Sequence, residues 1–351
     1  MMKTVLFLLL PVFIFCGGLK AQTLYIDAQK GRDDARGTLE APLASLQQAV
    51  ALAGDFSGND PVTIKLAPGL YNLTARLNIK TRNVGNTAAK YTLEAMVMPD
   101  DSNWHPWLMP VIQSISFNND SRYFDHCAGI MADRANVSIR GLKFVGNANP
   151  ATEYYYPIVR DSLTLKNLDI SQCYFIGDRN GDVVQGGIYA EGPGIHVDHC
   201  IFYGCKNAVL VFDHISDFAV THTIIYDAYE CAVWYGYGAF AADSLEKPFN
   251  FSNNIVSHCH FLWASSKGRD HSYYRFDHSL ICENENDYGM QNGNGGVMPL
   301  PARETYSEND IRKTGKVRLV EVQTEGLPPD YLNLAPGSDG KDIGAGIFLN
   351  K

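Results

Sequence analysis

Three acidic side chains, Asp133, Asp161 and Glu191, each follow an apolar anchor by three positions, and Tyr189, Trp234 and Trp263 each follow such an anchor by one. Stacked at strand spacing, carboxylates repel, so that one holds its proton or a cation is recruited. Asp161 and Glu191 could therefore serve as acid and base of a hydrolase, or join Asp133 in holding Ca2+ through oxygen ligands. The exposed aromatic stripe offers flat faces on which sugar rings could pack. Behind Trp263 come Lys267, Arg269 and His271. Elimination from a uronic acid needs a cation to neutralise the carboxylate and a base to remove the acidified proton. Arg269 suits the first role, and Lys267 or His271 the second. Asp178, Asn180 and Asp182 alternate around Gly181 like the opening of a calcium loop, but Val183 and Tyr189 stand where a glycine and a closing acid are needed. A polar turn is the preferred reading there. Asp213 with His214 forms a further candidate pair.

What could bring such separated residues together is a repeat. The order apolar, any, apolar, polar, turn residue, any, apolar, apolar recurs at Val137–Phe144, Leu168–Phe175, Ile195–Phe202, Phe218–Ile225, Phe249–Val256 and Tyr274–Ile281. Its fifth slot holds Gly141, Gln172, His199, His222, Asn253 and His278. These read as a structural column at a sharp turn, with amides bonding from coil to coil, ahead of a metal or catalytic role. Apolar anchors at Ile130, Ile158, Ile188, Val209, Val233, Leu262 and Met290 precede the copies at intervals of roughly 21 to 30 residues. Short strands in every period with no helix between them predict a parallel β-solenoid, whose equivalent residues stack about 4.8 Å apart. Ser45 opens a capping-box helix to about Ala53 that would cover one end, and Val317–Val322 suggests a closing strand.

The 38 acidic against 29 basic side chains leave a net charge of -9, which disfavours nucleic acid as a partner. Lys3, the apolar run Val5–Phe15 and the small residues up to Ala21 have the order of an export signal, so residues 1–21 are expected to be removed. Residues 22–351 then form one domain, exported, soluble and monomeric, with no membrane span. Seven cysteines beyond the leader, with no CxxC pair, predict buried side chains rather than a disulfide framework.

Both ends of the mature chain carry a resemblance. Leu24–Asp27, Gly37-Thr38, Ala41-Pro42 and Pro68-Gly69-Leu70-Tyr71 at the start, with Leu334–Ser338 and Asp342–Ala345 at the end, resemble secreted bacterial right-handed parallel β-helix proteins of the pectate lyase type, chondroitinase and alginate lyase relatives included. The resemblance implies an all-β right-handed parallel β-helix with a short N-terminal capping helix, secreted, periplasmic or at the cell surface, with a polysaccharide as partner. It does not fix the reaction. Eliminative cleavage is the leading expectation. A glycosidase using Asp161 and Glu191, or a non-catalytic carbohydrate-binding or adhesion solenoid, are the alternatives.

Overall fold

The computed structural model describes residues 22–56, 60–80, 88–236, 249–265, 274–292, 296–299 and 307–347. Parallel strands stack in register into a solenoid with three walls. The first wall runs from Gln22–Ile26 through Val62–Leu66, Tyr91–Ala95, Val137–Arg140, Leu168–Ser171, Ile195–Asp198, Phe218–Thr221 and Phe249–Ser252 to Tyr274–Cys282. The second runs from Leu70–Leu73 through Val111–Ser114, Lys143–Val145, Tyr174–Ile176, Ile201–Tyr203, Ile224–Tyr226 and Ile255–Ser257 onto the end of that same long strand. The third comprises Leu77–Lys80, Cys127–Asp133, Tyr155–Arg160, Gly186–Ala190, Asn207–Val211, Cys231–Tyr235, Phe261–Ser265 and Asn286–Gln291, with Val297–Pro299 added antiparallel. Alternation along each strand sends one set of side chains into a common interior. Stacking then lines like residues up, as in the interior rings of Phe144, Phe175 and Phe202, whose centroids lie 5.0 and 4.5 Å apart.

The helix spans Leu46–Asp55, with the Ser45 side chain accepting from the Gln48 amide, and it buries Leu46, Ala49, Val50 and Ala53 over the N-terminal coils. At the far end the expectation of a strand at Val317–Val322 fails. Ser307–Arg312 pairs with the last first-wall strand instead, and Val317 is buried with Leu332, Ile343 and Ile347 against the outside of the second wall. Repeat-like alternation could not tell a closing strand from an irregular segment whose apolar residues pack on a ready-made wall.

The fifth slot is the bend between first and second walls. All six of its residues have positive φ, from 41° at His278 to 71° at Gly141. Glycine, asparagine and histidine tolerate that left-handed conformation better than branched residues do. The expected coil-to-coil ladder exists, but one residue later. A left-handed residue turns the next amide inward, where Thr223 Oγ1 accepts from the Cys200 N–H (3.3 Å), Asn254 Oδ1 from Thr223 (2.9 Å) and Ser279 Oγ from Asn254 (3.0 Å). All seven described cysteines are free and buried. Cys173 and Cys200 stack in an interior column, their thiols directed at backbone carbonyls.

Candidate active site

The outer face of the third wall carries the site. Strand register sets Met131, Val159, Tyr189, Leu210 and Trp234 in one column, as the spacing predicted. Trp263 leaves it. Val233 pairs with Trp263, and Trp234 with Ala264, so Trp263 points inward, 1% exposed, among Tyr235, Phe249 and Phe276. Phe261-Leu262 and Leu262-Trp263 are equally apolar pairs, and a slip of one residue exchanges faces. The sequence could not choose between the two registers.

Tyr189 also departs from expectation, because its ring is only 5% exposed. It is sandwiched by Phe212 (4.7 Å) and His126 (6.4 Å), with Tyr156 edge-on at 5.3 Å. The cover is a strap, residues 116–126, which crosses the wall. Its shape is set by its own bonds: Asp120 and His126 exchange backbone hydrogen bonds, Asn119 ties to Ala128, and Arg76 pairs with Asp120. No periodicity marks this segment, which is why its contribution was not legible.

Asp161 and Glu191 directly follow the paired strand ends Arg160 and Ala190 beneath the strap, with their carboxyls near enough to influence each other. Glu191 is 2% exposed. Burial first, and then the neighbouring Asp161 charge, push its carboxyl up to about 7. Arg122 Nη1 lies 2.9 Å from Asp161 Oδ2 and donates to its backbone carbonyl as well, and Tyr123 is close enough to Glu191 to favour its ionised form. Among the described residues Asp161 Oδ1 and Glu191 Oε2 are buried without a hydrogen-bond partner. A proton carried by Glu191 supplies the donor that two ionised carboxylates lack. The backbone bearing Glu191 is held from below by Arg160. Its fully buried guanidinium donates to the carbonyls of Glu191 (2.7 Å), Gly192 (2.8 Å), Pro193 (3.0 Å) and Gly194 (3.5 Å). Without a carboxylate partner, burial brings this arginine down to about 10.

On the same outer face, toward the beginnings of the strands, a cavity of about 320 Å³ is lined by Phe124, Tyr154, Tyr156, Phe212 and Trp234, with Gln185, Lys206, Asn207, Glu230 and Gln291 supplying polar groups; neither Asp161 nor Glu191 lines it, and Phe212, whose amide bonds the Ala190 carbonyl, stands between it and Glu191. Asn207 Nδ2 donates to Glu230 Oε2 (2.8 Å) and Lys206 Nζ lies 3.9 Å from Glu230 Oε1. Of the expected aromatic contacts, Trp234 lines this cavity but is only 8% exposed, buried instead of standing on an open face, and Tyr189 underlies its neighbour Phe212. Lys206 and Glu230 sit just before their third-wall strands, a position the sequence pattern held without signalling a role.

Other candidates disperse. Asp133 is exposed at the rim and belongs to no three-ligand cluster with Asp161 and Glu191. Asp178, Asn180 and Asp182 form an exposed turn in which Asp178 Oδ1 accepts the Asn180 amide (2.8 Å). His214 stands exposed at a left-handed bend, and the Asp213 carbonyl takes the Gly192 amide. Lys267, Arg269 and His271 lie outside the described residues. So do residues 1–21, expected to be a removed export signal.

A family model described as a right handed beta helix region matches residues 112–281. No curated protein matches the chain. Among solved structures, a rhamnogalacturonan lyase is 13% identical (93% of this chain and 100% of that one, TM-score 0.42). A pectin methylesterase from Aspergillus niger is 12% identical (83% and 85%, TM-score 0.47). Pectate lyase Pel9A is 15% identical (92% and 91%, TM-score 0.35).

Proposed function

We propose that this chain, a right-handed parallel β-helix protein, is a polysaccharide-active enzyme that cleaves a glycosidic bond by acid–base chemistry at Asp161 and Glu191. The observation that carries the reading is the buried pair itself, with Glu191 holding a proton up to about pH 7 and Arg122 balancing the charge of Asp161. Glu191 donates its proton to the glycosidic oxygen as the C–O bond breaks, and Asp161 takes a proton from the attacking water. Proton exchange with water after product leaves returns Asp161 to its ionised form and Glu191 to its protonated form, which resets the site. The aromatic cavity farther along the same face, with Phe212 between it and the pair, would hold sugar units away from the cleaved bond, Trp234 its largest ring and Gln185, Lys206 and Glu230 its hydrogen-bonding groups. Arg122 gives the pair the countercharge that Ca2+ was expected to provide.

Eliminative cleavage, in which Lys267 or His271 is the base and Arg269 the neutraliser, gives a different product. The test is a screen of acidic and neutral polysaccharides, with and without chelator, following new reducing ends and unsaturated uronate absorbance. Reducing ends without unsaturation, abolished in Glu191→Gln and in Asp161→Asn, support hydrolysis. Unsaturated products that survive both substitutions overturn it in favour of Lys267, Arg269 and His271. No product from any glycan, with binding retained, leaves a carbohydrate-binding solenoid.

A further inference from the structure

A second cluster of chemistry sits away from the third wall, at the bend between first and second walls. His199 and His222 occupy the same slot of consecutive coils, both in left-handed backbone, with rings stacked at 4.5 Å and 10°. Both present Nδ1 to one carboxylate. His199 Nδ1 is 2.8 Å from Asp198 Oδ2, His222 Nδ1 is 3.0 Å from Asp198 Oδ1, and Thr221 Oγ1 donates to that same Oδ1 at 2.6 Å. Among the described residues this is the one group in which three metal-capable side chains bring ligand atoms within 4.8 Å of one another. Beside it opens a cavity of about 370 Å³, lined also by Asp100, Asp101, Arg140 and Gln172.

We propose that Asp198, His199 and His222 bind a divalent transition-metal cation of the Zn2+, Ni2+ or Cu2+ class through the two Nδ1 atoms and the carboxylate, with the remaining coordination position open toward the cavity. Two imidazoles with a single carboxylate select borderline metals over Ca2+ or Mg2+, which want oxygen. Tetrahedral bonds of about 2.1 Å place donor atoms roughly 3.4 Å apart, slightly wider than the present hydrogen bonds, so small ring rotations admit the ion. Each ring that gives its Nδ1 lone pair to the metal carries its proton on Nε2 instead, and no proton need leave the site. The spacing does not depend on flexible side chains, since Asp198 and Thr221 pair in the first-wall ladder that fixes one coil on the next.

The neighbouring coils supply test variants. Asn253 and Gln172 fill this slot in other coils with the same backbone, so His222→Asn and His199→Gln keep the bend while removing a ligand. The chelator-treated full chain is titrated with Zn2+ by calorimetry, and with Cu2+ by electron paramagnetic resonance. About one equivalent should bind, with two-nitrogen hyperfine structure for Cu2+. Each single variant should weaken binding tenfold or more and reduce the coupled nitrogens to one, and the double variant should abolish the site. His196→Gln, two residues before Asp198 on the same first-wall strand and paired with Asp169, should bind like the parent. Circular dichroism checks folding, and either single variant suffices if the other fails to fold. No binding by the parent chain, or equal binding by the double variant, overturns the proposal.

Discussion

Glu191→Gln removes one buried, titrating carboxyl while keeping its shape, and its consequences follow from two pH values. A glutamate ordinarily releases its proton near 4.5, whereas in the folded chain Glu191 keeps it up to about 7. The folded state thus binds more protons than the unfolded one between these limits. The stability associated with Glu191 is fully present below about pH 4.5 and is lost as pH rises through 7. At about 1.4 kcal/mol per pH unit, the loss approaches about 3 kcal/mol by pH 8. Glutamine carries no such dependence. Denaturant unfolding of parent and variant at half-unit steps from pH 4 to 8 gives the difference, in which titrating groups that do not interact with Glu191 cancel. It should turn in the variant's favour by about 2–3 kcal/mol across that range. Carboxyl 13C titration provides the direct reading, a resonance moving near pH 7 that vanishes in Glu191→Gln. Because burial is the larger cause, Asp161→Asn should bring that midpoint only part of the way down. Arg122→Gln should raise it further, since the guanidinium favours the ionised form. A Glu191 titration near 4.5, with a stability difference constant over pH, would refute both the buried-acid account and the enzyme built on it.

Activity should fall as pH rises through about 7, and Glu191→Gln should lower kcat by roughly 10²–10⁴ with little change in KM, measured by reducing-end release. Trp234→Ala should raise KM about tenfold, or 1.4 kcal/mol, without unfolding the chain. Trp263→Ala should instead cost about 3–5 kcal/mol of stability, since that ring fills the interior. Asn254→Ala leaves the Thr223 amide without its acceptor inside the coil, a loss of about 1–3 kcal/mol in urea unfolding. Arg160→Met strips four carbonyls of their donor, and should cost at least about 3 kcal/mol and displace the Glu191 midpoint in the 13C titration.

Much of this molecule is one-dimensional, and to that extent it was legible. A strand's alternation with a turn residue at a fixed offset is a local property, so the repeat, the bend column and the outward column from Met131 to Trp234 follow from the order of residues alone. The Asp161 and Glu191 pairing followed too, because neighbours in a parallel solenoid are separated by one repeat and by nothing else. Local pattern failed where two registers satisfied it equally, as at Phe261-Leu262-Trp263, and where contacts obey no period. The strap at residues 116–126 is such a case. Its sequence has no repeat, yet it places Arg122 on Asp161, Tyr123 near Glu191 and His126 over Tyr189. Asp198 gained its meaning the same way, as a polar residue ending a strand until the next coil set His222 beside it. Chain order determined which residues share a wall. Burial, charge balance and proton affinity were decided only by what folds across that wall, because these depend on distances between atoms that the sequence leaves far apart.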